Sequence, residues 1–467
     1  MSQNPSAGGK SAVVQLSVMM FLQFFVWGSW YVSQTGYMNV KGMGGLIAWA
    51  YTVGPIAAIV SPFFLGMIAD RFFASQKVLA TLHLLGAGAM LLVPLVARPV
   101  NEGEPTFTHP YVLLLLAHML CYMPTLALTT SLSMHNLASS EKQFPIVRVW
   151  GTIGWIAGNI AVGGNLQTWG VDLAWIAGGD KSAMQFYITG AAGLVLAAYA
   201  LTLPHTPPPL AGKRVAVREI LGLDALSLFA KPAYLVFIAA SFLLCIPLAG
   251  YYNYARTFVE VAGFTNATMT MSFGQFAEIF FMLVMPLCFA RLGVKWMLAV
   301  GMLAWVVRYG MFALGAPDHV TWMILGGVLL HGICYDFFFV TGMVYVDQTA
   351  PSSIRGQAQG LLVLVTQGLG LGVGAQVFGW LVGHFTPAAA TPHFTEAKSL
   401  AAQALAATDG AVAKALDQQS AAAALKANAM IDWQSVWLWP SVFAFVILVA
   451  FVAAFRGRSA ESPAKTL

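Results

Sequence analysis

The apolar residues of this chain come in long blocks separated by short polar stretches. A helix that crosses a bilayer needs about 20 consecutive, mostly apolar residues. Runs of that size fall at 13–34, 45–68, 78–97, 111–134, 146–168, 185–203, 233–253, 270–290, 296–315, 321–345, 358–384 and 434–455. Each predicts a spanning helix, and an even number of them puts both chain ends on one side. The first run follows a polar stretch, Met1 to Ala12, and lacks a small-residue cleavage site with the usual flanks. It therefore reads as a permanent helix and not as a removed leader.

The polar stretches divide these helices. The longest connection on the side of the termini runs from Pro204 to Pro232 and carries Pro207, Pro208 and Pro209 before a basic stretch from Lys213 to Arg218. It leaves six helices on either side, so the expected organisation is a bundle over 1–203, a central loop over 204–232 and a second bundle over 233–467. A weak internal repeat agrees with that division. Pro62 to Arg71 closes the second helix, and Pro286 to Lys295 closes the eighth at the equivalent place. An Ala-rich segment, 387–432, interrupts the second half and reads as an exposed helical excursion.

Composition narrows the class. Of 467 residues, 58% are hydrophobic and 9% charged, where a soluble domain carries roughly 25% charged residues. A water-facing surface cannot be built from so few charges, so most of the chain must face lipid or another helix. The net charge of +5 is spread along the chain, with no basic run of the kind that binds nucleic acid. With a cytoplasmic N-terminus, Lys10, Arg71, Lys77, Lys142, Lys213, Arg214, Arg218, Lys231, Arg291, Lys295, Arg355, Arg456, Arg458 and Lys465 all fall inside. The short outside loops hold only Lys41, Arg98, Lys181 and Arg256, and three further lysines lie in the long Ala-rich loop, where charge counts little. Both termini are expected on the cytoplasmic side of the membrane. Cys121, Cys245, Cys288 and Cys334 each sit inside an apolar run without metal-ligand spacing and read as packing residues.

Ionisable residues inside spans are costly and usually face the protein interior, which makes them functional candidates. Glu278 lies near the middle of the eighth helix and Asp336 near the middle of the tenth. A carboxyl group at that depth can take up and release a proton as access alternates; the plainer reading is a fixed ion pair with a residue such as Arg308. Gln275 precedes Glu278 by three positions, so an amide and a carboxyl share one face and suit a sugar hydroxyl or a nucleobase edge. Arg148, Thr152 and Trp155 share a face of the fifth helix, although Arg148 is near enough to the helix end to reach the headgroups, and Trp155 could face lipid. Tyr251, Tyr252 and Tyr254 end the seventh helix as an interfacial belt would. Tyr335, Phe337, Phe338 and Phe339 sit at mid-membrane, where a flat ring held between aromatics is the sharper reading. His331 is one turn before Tyr335 and can be a proton acceptor or a hydrogen-bonded core residue. At the mouth of the second helix, Gly66, Asp70 and Arg71 resemble the signature of facilitator transporters, in which such charges latch one conformation.

Several stretches together resemble the nucleoside:proton symporter family of the major facilitator superfamily. They are Leu22–Trp30, Tyr122–Leu126, Phe144–Gly154, Leu221–Ala225, Ala304–Arg308, Tyr335–Phe338 and Asp432–Trp437. The resemblance covers nearly the whole chain. It implies an all-α membrane protein of twelve transmembrane helices in two six-helix bundles, importing a nucleoside with a proton. It also implies a pocket built from Arg148, Thr152 and Trp155, from Gln275 and Glu278, and from Tyr335 and Asp336, with Glu278 and Asp336 in sugar binding and coupling. Three positions depart from the family pattern. The seventh helix carries Ala249 and Tyr252 where Gln and Asn are familiar, and His331 stands where a Tyr is familiar. Tyr252 and His331 therefore join the expected binding set, and the departures leave room for a related glycoside or a sugar.

The expectation is a proton-driven carrier without a cofactor or metal, working as a single chain in the lipid bilayer on a small nucleoside. A sugar facilitator or an exporter of amphipathic compounds is the alternative. A membrane enzyme is disfavoured, because no His-rich metal cluster or Ser–His or Cys–His arrangement is evident. A sensor on the same fold would lack net uptake.

Overall fold

In the computed structural model, residues 5–64, 72–163, 165–166, 171–172, 179–208, 218 and 222–456 are described. The proposed latch residues Gly66, Asp70 and Arg71 lie outside this set, as do residues 209–217 and 219–221 of the central connection. The long helices are α1 (Pro5–Gly28), α3 (Ile47–Phe64), α4 (Ser75–Leu92), α5 (Pro110–Asn136), α6 (Ser140–Gly163) and α7 (Met184–Ala200), with a short α2 (Gln34–Val40) after the first. Beyond the connection come α8 (Pro232–Val261), α9 (Ala267–Gly315), α10 (Thr321–Thr349) and α11 (Arg355–His384). A helical hairpin of α12 (Thr391–Ala406) and α13 (Gly410–Ala429) precedes the last span, α14 (Trp433–Ala454). The strand content among the described residues is one antiparallel pair, Asn165–Leu166 with Val171–Asp172.

Ten of these helices are long and apolar enough to cross a membrane, and α7 is a shorter apolar helix. Helix α9 runs for 49 residues, which at 1.5 Å per residue is more than twice a hydrocarbon core of about 30 Å. It is broken at Gly293, whose φ of 65° and ψ of 176° fall in a region open essentially to glycine alone. The sequence places two runs there, 270–290 and 296–315, and the break lies between them.

Helix α1 packs closely on α6, α4 on α5 and α7, and α9 on α10 and α14, while α3 against α11 and α6 against α9 join the two parts of the chain. The α1–α6 contact depends on small residues, as lipid-embedded helix pairs often do. A Cβ on Gly28 would run into the backbone carbonyl of Trp155. We expect Gly28→Leu to push these helices apart and to cost several kcal/mol, as overpacking of a tight contact does; a wild-type melting temperature for that variant would remove the argument.

The Ala-rich segment is the expected helical excursion. Asp409 caps α13 by accepting from the amides of Ala411 and Val412, and Ala397, Ala423 and Ala424 form a small core between the two helices. The buried Ser420 hydroxyl lies 2.7 Å from the Val40 carbonyl and 2.8 Å from that of Ala397, fastening the hairpin to α2. Lys41 pairs with Asp417 at 2.7 Å, but both side chains are partly exposed. An exposed pair contributes about 0–1 kcal/mol, whereas orphaning buried hydrogen-bonding groups costs about 1–3 kcal/mol. Ser420→Val is therefore expected to lower the melting temperature more than Asp417→Asn, and the reverse order would overturn this account of the docking.

Two expectations need correction here. The seventh helix does not stop near residue 253 but continues to Val261, so Tyr251 and Tyr254 are buried inside the protein and form no interfacial belt. Arg256, expected in an outside loop, is 1% exposed within α8. Burial is tolerated because every nitrogen of its guanidinium finds a partner. Its Nη2 donates to Asp180 Oδ2 at 2.7 Å, Nη1 to Glu260 Oε2 at 2.7 Å and Nε to Thr268 Oγ1 at 3.0 Å. Lys181 pairs with Glu260 as well, so two cations face two carboxylates. This cluster ties α8 and the start of α9 to the 179–181 turn before α7, on the same face as the hairpin.

Candidate functional site

A cavity of about 100 Å³ lies where helices from both parts of the chain converge. Helix α1 contributes Phe24 and Trp27, and Tyr31 follows it. Helix α6 contributes Arg148, Thr152 and Trp155; α8, Tyr252; α9, Gln275 and Glu278; α10, His331 and Tyr335; α11, Gln367 and Leu371. Of the nine residues proposed from the sequence to bind substrate, eight line this one cavity. The spacing explains why: positions three, four and seven apart present one helix face, and Arg148, Thr152 and Trp155, like Gln275 and Glu278, keep to that rule.

Asp336 is the exception. It follows Tyr335 directly, and neighbouring positions on a helix do not face the same way. Its side chain is fully buried, and neither carboxyl oxygen has a hydrogen-bond partner among the described residues. It thus sits beside the cavity wall without lining it. Ala249 is also buried and does not line the cavity.

The wall is largely aromatic. The Trp155 ring meets Trp27 edge-on at 5.2 Å, which places it inside the protein and not against lipid. Trp27 meets Tyr31 at 5.6 Å, and Tyr31 meets Tyr252 at 5.8 Å. On the other side Tyr251 stacks on His331 at 5.2 Å, and His331 is 6.0 Å from Tyr335. Such rings offer flat apolar faces to a planar ligand. The Arg148 guanidinium lies 4.5 Å from the centre of the Phe24 ring, so it is held at the cavity and is not committed to the headgroups. Arg308 forms no ion pair with Glu278 or Asp336. It donates to His331 and lies 3.3 Å over the Tyr251 ring instead.

Sequence reasoning missed Phe24, Trp27, Tyr31, Gln367 and Leu371. The first two belong to a stretch, Leu22–Trp30, that carries the family resemblance without indicating which side chains point inward. Gln367 had a structural signal that the sequence does not reveal. It lies in a π-helical turn, Leu364–Gly370, and Tyr335 begins another, Tyr335–Val340. Such turns rotate the face of a helix and recur at functional sites.

The cavity is smaller than the roughly 300–1,000 Å³ typical of ligand sites, so the helices are drawn in around it. Larger hollows lie elsewhere, two of them against α11. One of about 740 Å³ opens between the hairpin and α11, past Asn39, Tyr254, Gln376 and Asn428; another, of about 360 Å³, is an apolar groove between Trp380 and Trp439. Neither gathers the titratable groups that the central cavity does. At that cavity Arg148 is exposed, while the Arg256 cluster joins α8 and α9 to the 179–181 turn on the hairpin side.

Residues 10–460 match the family described as nucleoside H+ symporter. The chain is 42% identical to the putative nucleoside transporter YegT of Escherichia coli K12 over 78% of its own length and 83% of that protein. It is 29% identical to the nucleoside permease NupG of Escherichia coli K12 over 97% and 98% of the two chains. The crystal structure of the nucleoside transporter NupG superposes with a TM-score of 0.74 at 28% identity, covering 96% of this chain and 100% of that one. A bacterial homologue of the lysosomal transporter Spinster, at 14% identity and a TM-score of 0.65, shares the fold. Predominantly helical, with ten helices long and apolar enough to cross a membrane among the described residues and a family match along almost its full length, this chain belongs to the nucleoside H+ symporter family.

Proposed function

We propose that this protein imports nucleosides together with protons across the bacterial inner membrane by alternating access. The observation that carries the reading is the central cavity, where aromatic rings stand beside the amide of Gln275 and the carboxyl of Glu278. A nucleoside presents a flat base and a hydroxyl-bearing sugar, and these are the two chemistries the cavity offers. In this reading the base is held among Trp27, Trp155, Tyr252 and Tyr335, and the sugar hydroxyls are met by Gln275 and Glu278. Thr152 and Arg148 complete the polar side.

Twelve spans are the reading we favour: nine unbroken long helices, α9 counted twice across Gly293, and α7. They would form bundles over 1–203 and 233–467 that rock about the cavity, with 204–232 between them and both termini in the cytoplasm. The exposed Arg148 then faces the cytoplasm, and the Arg256 cluster closes the periplasmic face. Glu278 and Asp336 are assigned to proton handling. An unpartnered buried carboxyl is tolerated as the neutral acid and not as the anion, so Asp336 carries its proton in this conformation. Loading of the outward-open cavity, closure, and release to the cytoplasm complete the cycle. A single chain is sufficient for every step, and no bound cofactor is required.

An inhibition panel tests the substrate class. Uptake of labelled uridine should be blocked by other nucleosides and be indifferent to hexoses at the same concentration. Competition by hexoses with no effect of nucleosides would replace this reading with a sugar carrier.

A further inference from the structure

Arg308 is fully buried in α9 and has no acidic partner among the described residues. Its guanidinium is held by rings instead: 3.3 Å over Tyr251, 5.9 Å from Tyr309 and 6.0 Å from Phe312. Among the described residues its one hydrogen bond runs from Nη1 to Nδ1 of His331 at 3.2 Å, and Nε and Nη2 find no partner there. A buried cation with so little polar compensation is expensive, which asks for a reason.

The hydrogen bond supplies one. A guanidinium has only donors, so Nδ1 of His331 must accept. A ring nitrogen that accepts carries no proton, so the imidazole is neutral and its one proton is on Nε2. The ring cannot readily turn over, which would put Cδ2 in place of Nδ1, because Tyr251 stacks on one face at 5.2 Å and packs under Arg308 as well. His331 lines the central cavity. The cavity is thereby given an N–H donor of fixed direction at residue 331, with no acceptor alternative.

We infer that Arg308 is a positioning residue that locks His331 as a hydrogen-bond donor, and that His331 selects nucleosides whose base presents a carbonyl oxygen there over those presenting an amino group. This rests on the proposed transport of nucleosides. An oxo group accepts from Nε2–H. An amino group in its place has only donors to offer, so two N–H groups face each other and both lose their partners. A site built around a fixed donor rejects such a mismatch more strongly than it rejects a change in size. The matched pairs are uridine against cytidine and inosine against adenosine, which exchange the oxo group for an amino group and, with it, an N–H for a bare nitrogen at the adjacent ring position. The same geometry removes His331 from proton relay, since a ring held in this way has no free nitrogen to protonate.

The test is competition by these four nucleosides against labelled uridine in proteoliposomes of the full chain. Wild type should bind the oxo member of each pair on the order of tenfold tighter, the value of one well-placed hydrogen bond. His331→Phe keeps the stacking ring and removes the donor, and should bring each ratio close to one whatever its absolute rate. Arg308→Gln should lower the ratios likewise by freeing the ring; if that variant does not fold, His331→Phe still decides. Equal affinities in wild type, or ratios that survive His331→Phe, overturn the inference while leaving nucleoside transport intact. Failure of all four to compete, with no uridine uptake, would instead remove the transport reading on which it stands.

Discussion

Glu278→Gln is expected to abolish the accumulation of nucleoside above its external concentration when an inward proton gradient is imposed. Glutamine keeps the length of the side chain and can still hydrogen-bond a sugar hydroxyl, but it cannot carry a proton. Glu278 lines the cavity with Gln275 one turn away, so the same group can meet substrate and proton, which is the simplest way to couple them. Asp336→Asn should reduce accumulation at least tenfold, because the buried carboxyl it replaces has no partner to hold it as a structural ion pair. The readout is the steady-state ratio of internal to external substrate in vesicles with a fixed pH difference. If both variants accumulate as wild type does, coupling does not reside in this pair.

The second large effect belongs to Arg256. Arg256→Ala leaves Lys181, paired with Glu260, as the one cation of the cluster among the described residues. Breaking a buried ion pair by removing one partner typically costs about 3–5 kcal/mol, since the remaining charge is stranded. Thermal stability should fall by an amount of that order. Because the cluster joins α8 and Thr268 of α9 to the turn at Asp180, its loss should also make the hairpin face more open, seen as faster labelling of a cysteine introduced in place of Asn39. A variant with wild-type stability and labelling would mean that the cluster does not hold this face shut.

How much of this was legible in the sequence depends on the kind of contact. Apolar runs placed the long helices well, because the bilayer imposes one length scale on a spanning helix, and the shorter α7 has its run at 185–203. The face-sharing pairs on α6 and α9 were legible for the same reason: helical spacing is local. Contacts set by packing between distant helices were not. Nothing local to Arg256 says that Asp180 lies beside it, although Glu260 four residues on is a hint, and so the residue was assigned to a loop. Likewise Tyr251 reads as a belt residue until Arg308, 57 positions away in sequence (308 − 251), is seen lying over its ring. Asp336 and Tyr335 read as one pair, yet only Tyr335 reaches the cavity, because adjacent positions on a helix do not face the same way.

The most direct test of the central claim is uptake of labelled uridine and adenosine into proteoliposomes, with and without an inward proton gradient. The account predicts accumulation above equilibrium for at least one of them, collapsing when a protonophore is added. Uptake that only equilibrates, or none in vesicles shown to hold folded protein, would contradict it.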